Sequence, residues 1–185
     1  MIALAWLSAP AGLADPLHKA GNEGAYRHED SGWLFPKQLG DFTRVGAPYT
    51  IDGNNDVGAQ YEQARNGPRA DAVVDVYASD SAAADAKMEN AKAGAARKAG
   101  AAARLESEQA FHLDGRAALR AVKVSYASVA ESPPSRTSLY FIETERWIVK
   151  VLASTQAAGE EADKRLDAFV HELPWDTLGT PGDLH

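Results

Sequence analysis

The chain contains no cysteine. Disulfides, thiolate nucleophiles and Cys-ligated zinc or iron–sulfur sites are therefore excluded. A compartment does not follow, because cysteine-free proteins occur in oxidising and reducing spaces alike. Positive charge is in deficit: 19 Lys and Arg stand against 26 Asp and Glu, a net charge of −7 at pH 7. An acidic domain without a basic stripe lacks the phosphate neutralisation that supplies most nucleic-acid affinity. It is also a poor match for an anionic membrane surface. No apolar run reaches the roughly 18 residues that a membrane-crossing helix needs, so no integral membrane segment is expected. The motifs that mark common chemistry are missing too. No G-x-G-x-x-G or G-x-x-x-x-G-K-[ST] loop is present, no Ser sits in G-x-S-x-G, and no two histidines stand at H-x-x-x-H or H-E-x-x-H spacing. The sequence names no catalytic residue and implies no cofactor. It leans away from an enzyme without excluding one of unrecognised type.

What is present fits one globular domain. Of 185 residues, 45% are apolar and 24% charged, close to the globular average and enough for a core. Residues 1–14, MIALAWLSAPAGLA, hold an apolar run from Ile2 to Leu7 and small residues at Gly12 and Ala14, with Asp15-Pro16 to follow. This reads as a truncated export signal, since no Lys or Arg precedes the run. The expected location is periplasmic or secreted, with the cytoplasm as the alternative. Residues 15–30 read as an irregular lead-in, 31–175 as a single α+β domain and 176–185 as a loose tail.

Within the domain, GWLFPKQLGDFTRVG is cut by Pro36 and Gly40 into short strands. Residues 42–51 and 57–65 form a hairpin, and DAVVDVYAS at 71–79 is a strand rich in Val and Tyr. From Ser79 the chain turns Ala-rich and helical: Ser79, Asp80 or Ser81 can cap its start, and Gly100 its end. Asp114-Gly115 is a two-residue hairpin signal between two further strands, the second marked by Ala118, Val122, Val124 and Tyr126 on one face. RTSLYFIETERWIVKVLAST splits near Glu143–Glu145 into another hairpin, with Leu139 and Phe141 on one face and Trp147, Val149 and Val151 on one face of the second arm. Ala162, Leu166, Phe169, Val170 and Leu173 then make the stripe of an amphipathic helix that Pro174 ends. The expected fold is a mainly antiparallel twisted sheet of hairpins, flanked by an Ala-rich helix and a C-terminal amphipathic helix that cover one face or both.

One stretch invites a metal reading. Asp52, Asn54 and Asp56 in IDGNNDVGAQYEQA place oxygens at alternate positions, as in the first half of a calcium loop. Val57 then occupies the position of the required Gly, and Gln63 that of the closing bidentate Glu. Gly, Asn and Asp are also the residues of tight turns, and a hairpin loop accounts for all of them. No metal is therefore expected, with Asp52, Asn54 and Asp56 as the candidate set. His112 and Asp114 lie two apart near a hairpin tip, one ligand short of the usual three. Glu143 and Glu145 read as solvated turn residues. The strands also carry many aromatics, among them Trp33, Phe35, Phe42, Tyr49, Tyr61, Tyr77, Tyr126, Tyr140, Phe141 and Trp147. Most belong to a core. Those facing outward would form a pocket or a partner surface.

The order of elements, with the GWLFP strand, the Ser/Ala helix after VYAS, the LYFIETERWIVKVLAST hairpin and the closing amphipathic helix, resembles the Mog1/PsbP-like α/β/α sandwich and the periplasmic proteins of unknown function that share it. The resemblance covers roughly residues 31–175. It implies a fold that hosts binding and assembly factors more often than enzymes, and it supplies no catalytic residue. Three functions stay open: an exported accessory module holding a partner protein through its sheet or loops, a small-molecule or lipid carrier with an apolar pocket between sheet and helix, and an enzyme of unrecognised type. The ligand-binding residues are not legible from the sequence.

Overall fold

Alternation of apolar and polar residues, interrupted by Gly and Pro, makes about half of the described residues strand. The computed structural model describes residues 16–21, 23–51, 56–63, 68–80, 82–113, 118, 120–128, 134–157 and 159–179. Three strands, β1 (Leu17–Ala20), β2 (Ala25–His28) and β3 (Leu34–Phe35), form a small antiparallel sheet. The large sheet is built from β4 (Gln38–Leu39), β5 (Phe42–Ile51), β6 (Asp56–Gln63), β7 (Ala70–Ala78), β8 (Arg104–Ala110), β9 (Arg120–Ser128), β10 (Ser135–Glu143) and β11 (Trp147–Thr155). Its spatial order is β4-β5-β6-β7-β11-β10-β9-β8, antiparallel throughout. The helices are α1 (Ala84–Ala99) and α2 (Glu160–His171), followed by a short 3-10 turn at Trp175–Thr177. The domain is thus α+β with a mainly antiparallel sheet.

The connections decide which parts of the sheet are covered. After β7 the chain leaves the middle of the sheet, passes through α1 and re-enters at the far edge as β8. It then walks back through β9 and β10 to β11, which pairs with β7. Helix α1 lies over this returning half. Its Ala84, Ala91 and Met88 pack on Phe141 and Ile148, and its Ala95 packs with Val124 and Leu139. Alanine lets the helix sit close to the sheet, though each residue removes little apolar area from water. Helix α2 packs on the opposite face. Leu166, Phe169 and Val170 join Trp147, Val149, Val151, Val74, Val76 and Tyr61 in the main core. Phe169 reaches the far strands, 4.5 Å from the ring of Phe42 and 5.5 Å from that of Tyr61 between centroids. The stripe expected for this helix is the face it buries.

Four expectations need correction. Residues 15–30 are not irregular throughout, because β1 and β2 pair there. The following tail is docked as well: Thr177 Oγ1 accepts the Leu34 amide at 3.1 Å, and the Gly179 amide donates to the Ser31 carbonyl at 2.8 Å. The β8–β9 connection is wider than a two-residue turn at Asp114-Gly115. Ala110 pairs with Val122 and the Phe111 amide reaches the Ala121 carbonyl, so the strands part before that dipeptide, which lies outside the described residues. Finally, α1 starts later than Ser79–Ser81. Asp80 accepts the Ala82 amide and holds the preceding turn, while the N-cap position falls to Ala83, with no side-chain cap. The proposed signal segment, 1–14, and the loop residues Asp52 and Asn54 also lie outside the described residues.

Candidate functional site

Because α1 covers β9–β11, the same face of β5, β6 and β7 carries no helix among the described residues. Register places Val45, Gln60 and Val73 in one row across this open face, and Tyr49, Gly58, Asp75 and Lys150 in the next. Two of the large apolar side chains most exposed among the described residues sit here, Val45 at 44% and Tyr49 at 42%. Gln60 and Glu62 beside them are exposed, while Val73 and Tyr77 are half-buried.

Tyr49 is held in place by its surroundings. Its ring lies across Gly58 on the neighbouring strand. A Cβ added at Gly58 would stand 2.8 Å from the Tyr49 Cε2 and Cζ atoms and would collide with Asp75 Oδ1. The missing side chain is therefore the space the ring occupies. The Tyr49 hydroxyl donates to Asp75 Oδ1 at 3.2 Å, and the Tyr77 hydroxyl donates to Oδ2 at 3.1 Å. Lys150, the direct cross-strand neighbour of Asp75, places Nζ 2.7 Å from Oδ2 and donates to the Tyr77 hydroxyl at 2.8 Å. Asp75 itself is 5% exposed, and its carboxylate is satisfied by two hydroxyls and one ammonium. Burial, then the charge of Asp75 and the hydrogen bond to it, raises the Tyr49 pKa well above its ordinary value. The phenol thus stays neutral and donating at any physiological pH.

The strand bulge that presents Tyr49 is fixed from below. Pairing between β5 and β6 shifts register between Val45 and Tyr49, where Gly46 adopts φ +71°. Arg44, 3% exposed, donates from Nε to the Gly46 carbonyl at 3.1 Å. Its other nitrogens donate to the Phe35 and Gly24 carbonyls, and its guanidinium stacks 4.7 Å from the Tyr26 ring centre. Burial lowers the Arg44 pKa. Three carbonyls replace the water this cation loses, which ties the small sheet to the bulge.

Both sheet edges are blunted, so the face is more accessible than the rim. Along β5 the bulge and Pro48, which has no N–H, interrupt the edge. Along β8 the ladder is irregular between Leu105 and Ser107, and Glu106 turns to pair with Arg136.

Two other places were weighed. A cleft of about 560 Å³ opens where β8 and β9 part, between Phe111, His112, Leu113, Ala118, Arg120 and Val122. Its Arg120 is engaged by Asp85 at 2.6 Å and Glu143 at 3.2 Å. The second is a charged cluster beneath α2. Lys123, 3% exposed, meets Asp167 at 2.7 Å and Asp163 at 3.1 Å. The Tyr140 hydroxyl donates to Asp167 at 2.6 Å, and Arg136 pairs with Asp163. Burial, reinforced by Asp167, raises the Tyr140 pKa. With every charge matched, this cluster reads as a polar clasp between α2 and the sheet.

The residues singled out from the sequence are scattered. Asp56 begins β6 and accepts the Ala78 amide at 3.3 Å, a strand-pairing role. Among the described residues no group of three or more His, Asp or Glu is arranged to hold a metal. His112 lines the β8–β9 cleft. Glu143 is buried at 8% and ion-paired with Arg120, which corrects its reading as a solvated turn residue; Glu145 is exposed. Of the aromatics, Trp33, Phe35, Phe42, Tyr61, Tyr140, Phe141 and Trp147 are core, and Tyr49 is the exposed one. The open-face cluster had a readable signal: DAVVDVYAS and WIVKVL each carry a charge flanked by valines in mid-strand, Asp75 and Lys150. Opposite charges so placed are expected to meet.

No protein-family model matches the chain, and no curated protein matches it. The class of protein rests on the fold and on this open face.

Proposed function

We propose that the chain is an exported, non-enzymatic accessory module that holds a partner protein on the open face of β5, β6 and β7. One observation carries the reading: a tyrosine exposed at 42% is pinned across Gly58 and tied to Asp75, beside an exposed Val45, on a sheet face that no described helix covers. A rigid aromatic anchor contributes contact area without losing rotamer freedom on binding. The Asp75 oxygens are occupied by three donors, so the cluster is built to stay still, and proton transfer would disrupt it. The partner that suits the surface offers an apolar side chain to Val45 and Tyr49 and basic groups to Glu62 and to the −7 charge of the chain as a whole.

The finer fold reading belongs with this proposal. A Mog1/PsbP-like sandwich is supported by the element order and by helices packing on opposite sheet faces. Export is supported by the pattern of residues 1–14.

The test is cross-linked capture of full-length tagged protein from fractionated native cells, run beside Val45→Glu and Tyr49→Ala, with the N-terminal peptide read in the same mass-spectrometry experiment. A processed N-terminus near Asp15 and one dominant partner lost in both variants is the expected result. An unprocessed chain, or a partner retained at full yield by both variants, refutes the reading.

A further inference from the structure

At the end of the sheet where α1 finishes, a small cleft of about 230 Å³ lies between the start of β7, the start of β10 and the end of β11. It is smaller than the roughly 300 Å³ at which drug-sized ligand pockets begin. Its walls are polar. Thr137 and Ser154 face each other across β10 and β11 with their hydroxyl oxygens 3.1 Å apart, and Ser135 and Gln156 flank them. Thr155 borders the cleft, but its side chain lies on the other face of β11 with Val151 and Ala153 and takes no part in the site.

Two cations border the same cleft. Lys98, in the last turn of α1, is paired with Asp71 at 2.6 Å, which cancels one charge of each sign. Arg69 remains. It is exposed, and its guanidinium has no ion pair or hydrogen bond among the described residues. Its own carbonyl accepts the Gln156 amide at 2.8 Å, which fixes its backbone against the end of β11. The local balance is one net positive charge beside a group of hydroxyls. This is unusual ground in a chain of net charge −7.

We infer that this cleft binds a small tetrahedral oxyanion, a phosphate ion or the terminal phosphate of a small monoester, with Arg69 as its charge partner and, as donor, the one hydroxyl proton that the mutual bond of Thr137 and Ser154 leaves free. The planar guanidinium fork presents two parallel N–H donors to phosphate oxygens, and the free hydroxyl rotor adapts to a remaining one. Asp71 is the feature that opposes an anion, and Lys98 neutralises it. The site is independent of the open face and stands whether or not a protein binds there.

Isothermal titration of the full-length protein with inorganic phosphate, and separately with glycerol phosphate, at constant ionic strength tests the assignment. The expected result is saturable one-to-one binding, weakened about tenfold or more by Arg69→Gln and several-fold by Thr137→Val, and unchanged by Arg146→Gln on the exposed β10–β11 turn. Tighter binding of the monoester assigns the site to a terminal phosphate; tighter binding of the free ion assigns it to phosphate itself. Arg69 makes no side-chain hydrogen bond or ion pair among the described residues, so its variant should retain the wild-type melting curve. Absence of saturation by about 10 mM phosphate, or equal weakening by Arg146→Gln, overturns the inference.

Discussion

Substituting Gly58→Ala asks whether the exposed tyrosine is held in place or merely lies on the surface. Gly58 has no left-handed backbone, so alanine brings no strain of that kind. What it brings is a methyl group 2.8 Å from two atoms of the Tyr49 ring and in collision with Asp75 Oδ1. Overfilling a packed site costs about 1–3 kcal/mol. Swinging the ring away also loses its hydrogen bond to Asp75, worth about 0.5–1.5 kcal/mol. The carboxylate keeps Tyr77 and Lys150, so it is not orphaned. Alanine returns about 0.4–1 kcal/mol by restricting the unfolded chain. The net loss is about 0.5–4 kcal/mol, and at roughly 2–4 °C per kcal/mol for a chain of this length Tm falls by about 1–16 °C. Calorimetry or thermal circular dichroism reads this directly. The decisive form is a double-mutant cycle with Tyr49→Ala. Removing the ring first should relieve part of the clash and leave a coupling of about 0.5–1 kcal/mol. Additive losses, or a Gly58→Ala protein as stable as wild type, would refute the pinned-ring geometry.

Three other outcomes are expected. Lys123→Met removes the buried ammonium from Asp163 and Asp167, carboxylates that keep a quarter to a third of their side chains in water; urea unfolding should show a loss of about 1–3 kcal/mol, largely recovered by adding Asp167→Leu. Tyr49, Tyr61 and Tyr140 all have raised pKa values, chiefly from burial. The unfolded chain therefore releases their protons first, so their contribution is complete below about pH 10 and is lost as pH rises beyond it; tyrosinate absorbance of these three should appear only with unfolding. Arg44→Met leaves the Phe35, Gly24 and Gly46 carbonyls without their donor and frees the β5 bulge, so hydrogen exchange should rise in β5 and the small sheet while β9 and β10 stay protected.

Most of the large sheet could be read from the chain because its signals are local. The β5–β6 and β10–β11 hairpins and the α2 stripe follow from alternation, turn residues and helical spacing. The strands β1 and β2 were missed because LHKA and AYRH are short and half polar; they pair because Arg44 and the Trp33–Trp175 contact, 5.2 Å between ring centres, give them something to close against. The β8–β9 turn was misread because a favourable dipeptide says nothing of where Phe111 and Arg120 are pulled by the core and by Asp85. The open face was beyond local reading altogether. It exists because β11 returns to pair with β7 and so keeps α1 to one half of the sheet. Asp75 and Lys150 hinted at it, yet their pairing needed the register.

The most direct test of the partner surface is site-specific photo-cross-linking in native cells. A photoreactive residue is placed at Gln60 on the open face and, as the control, at Ala86 on the exposed side of α1. The expected result is one saturable adduct from Gln60 that untagged wild-type protein competes away and Tyr49→Ala protein does not, with no such adduct from Ala86. The same adducts from both positions, or competition by Tyr49→Ala equal to that by wild type, would contradict a partner held on β5, β6 and β7.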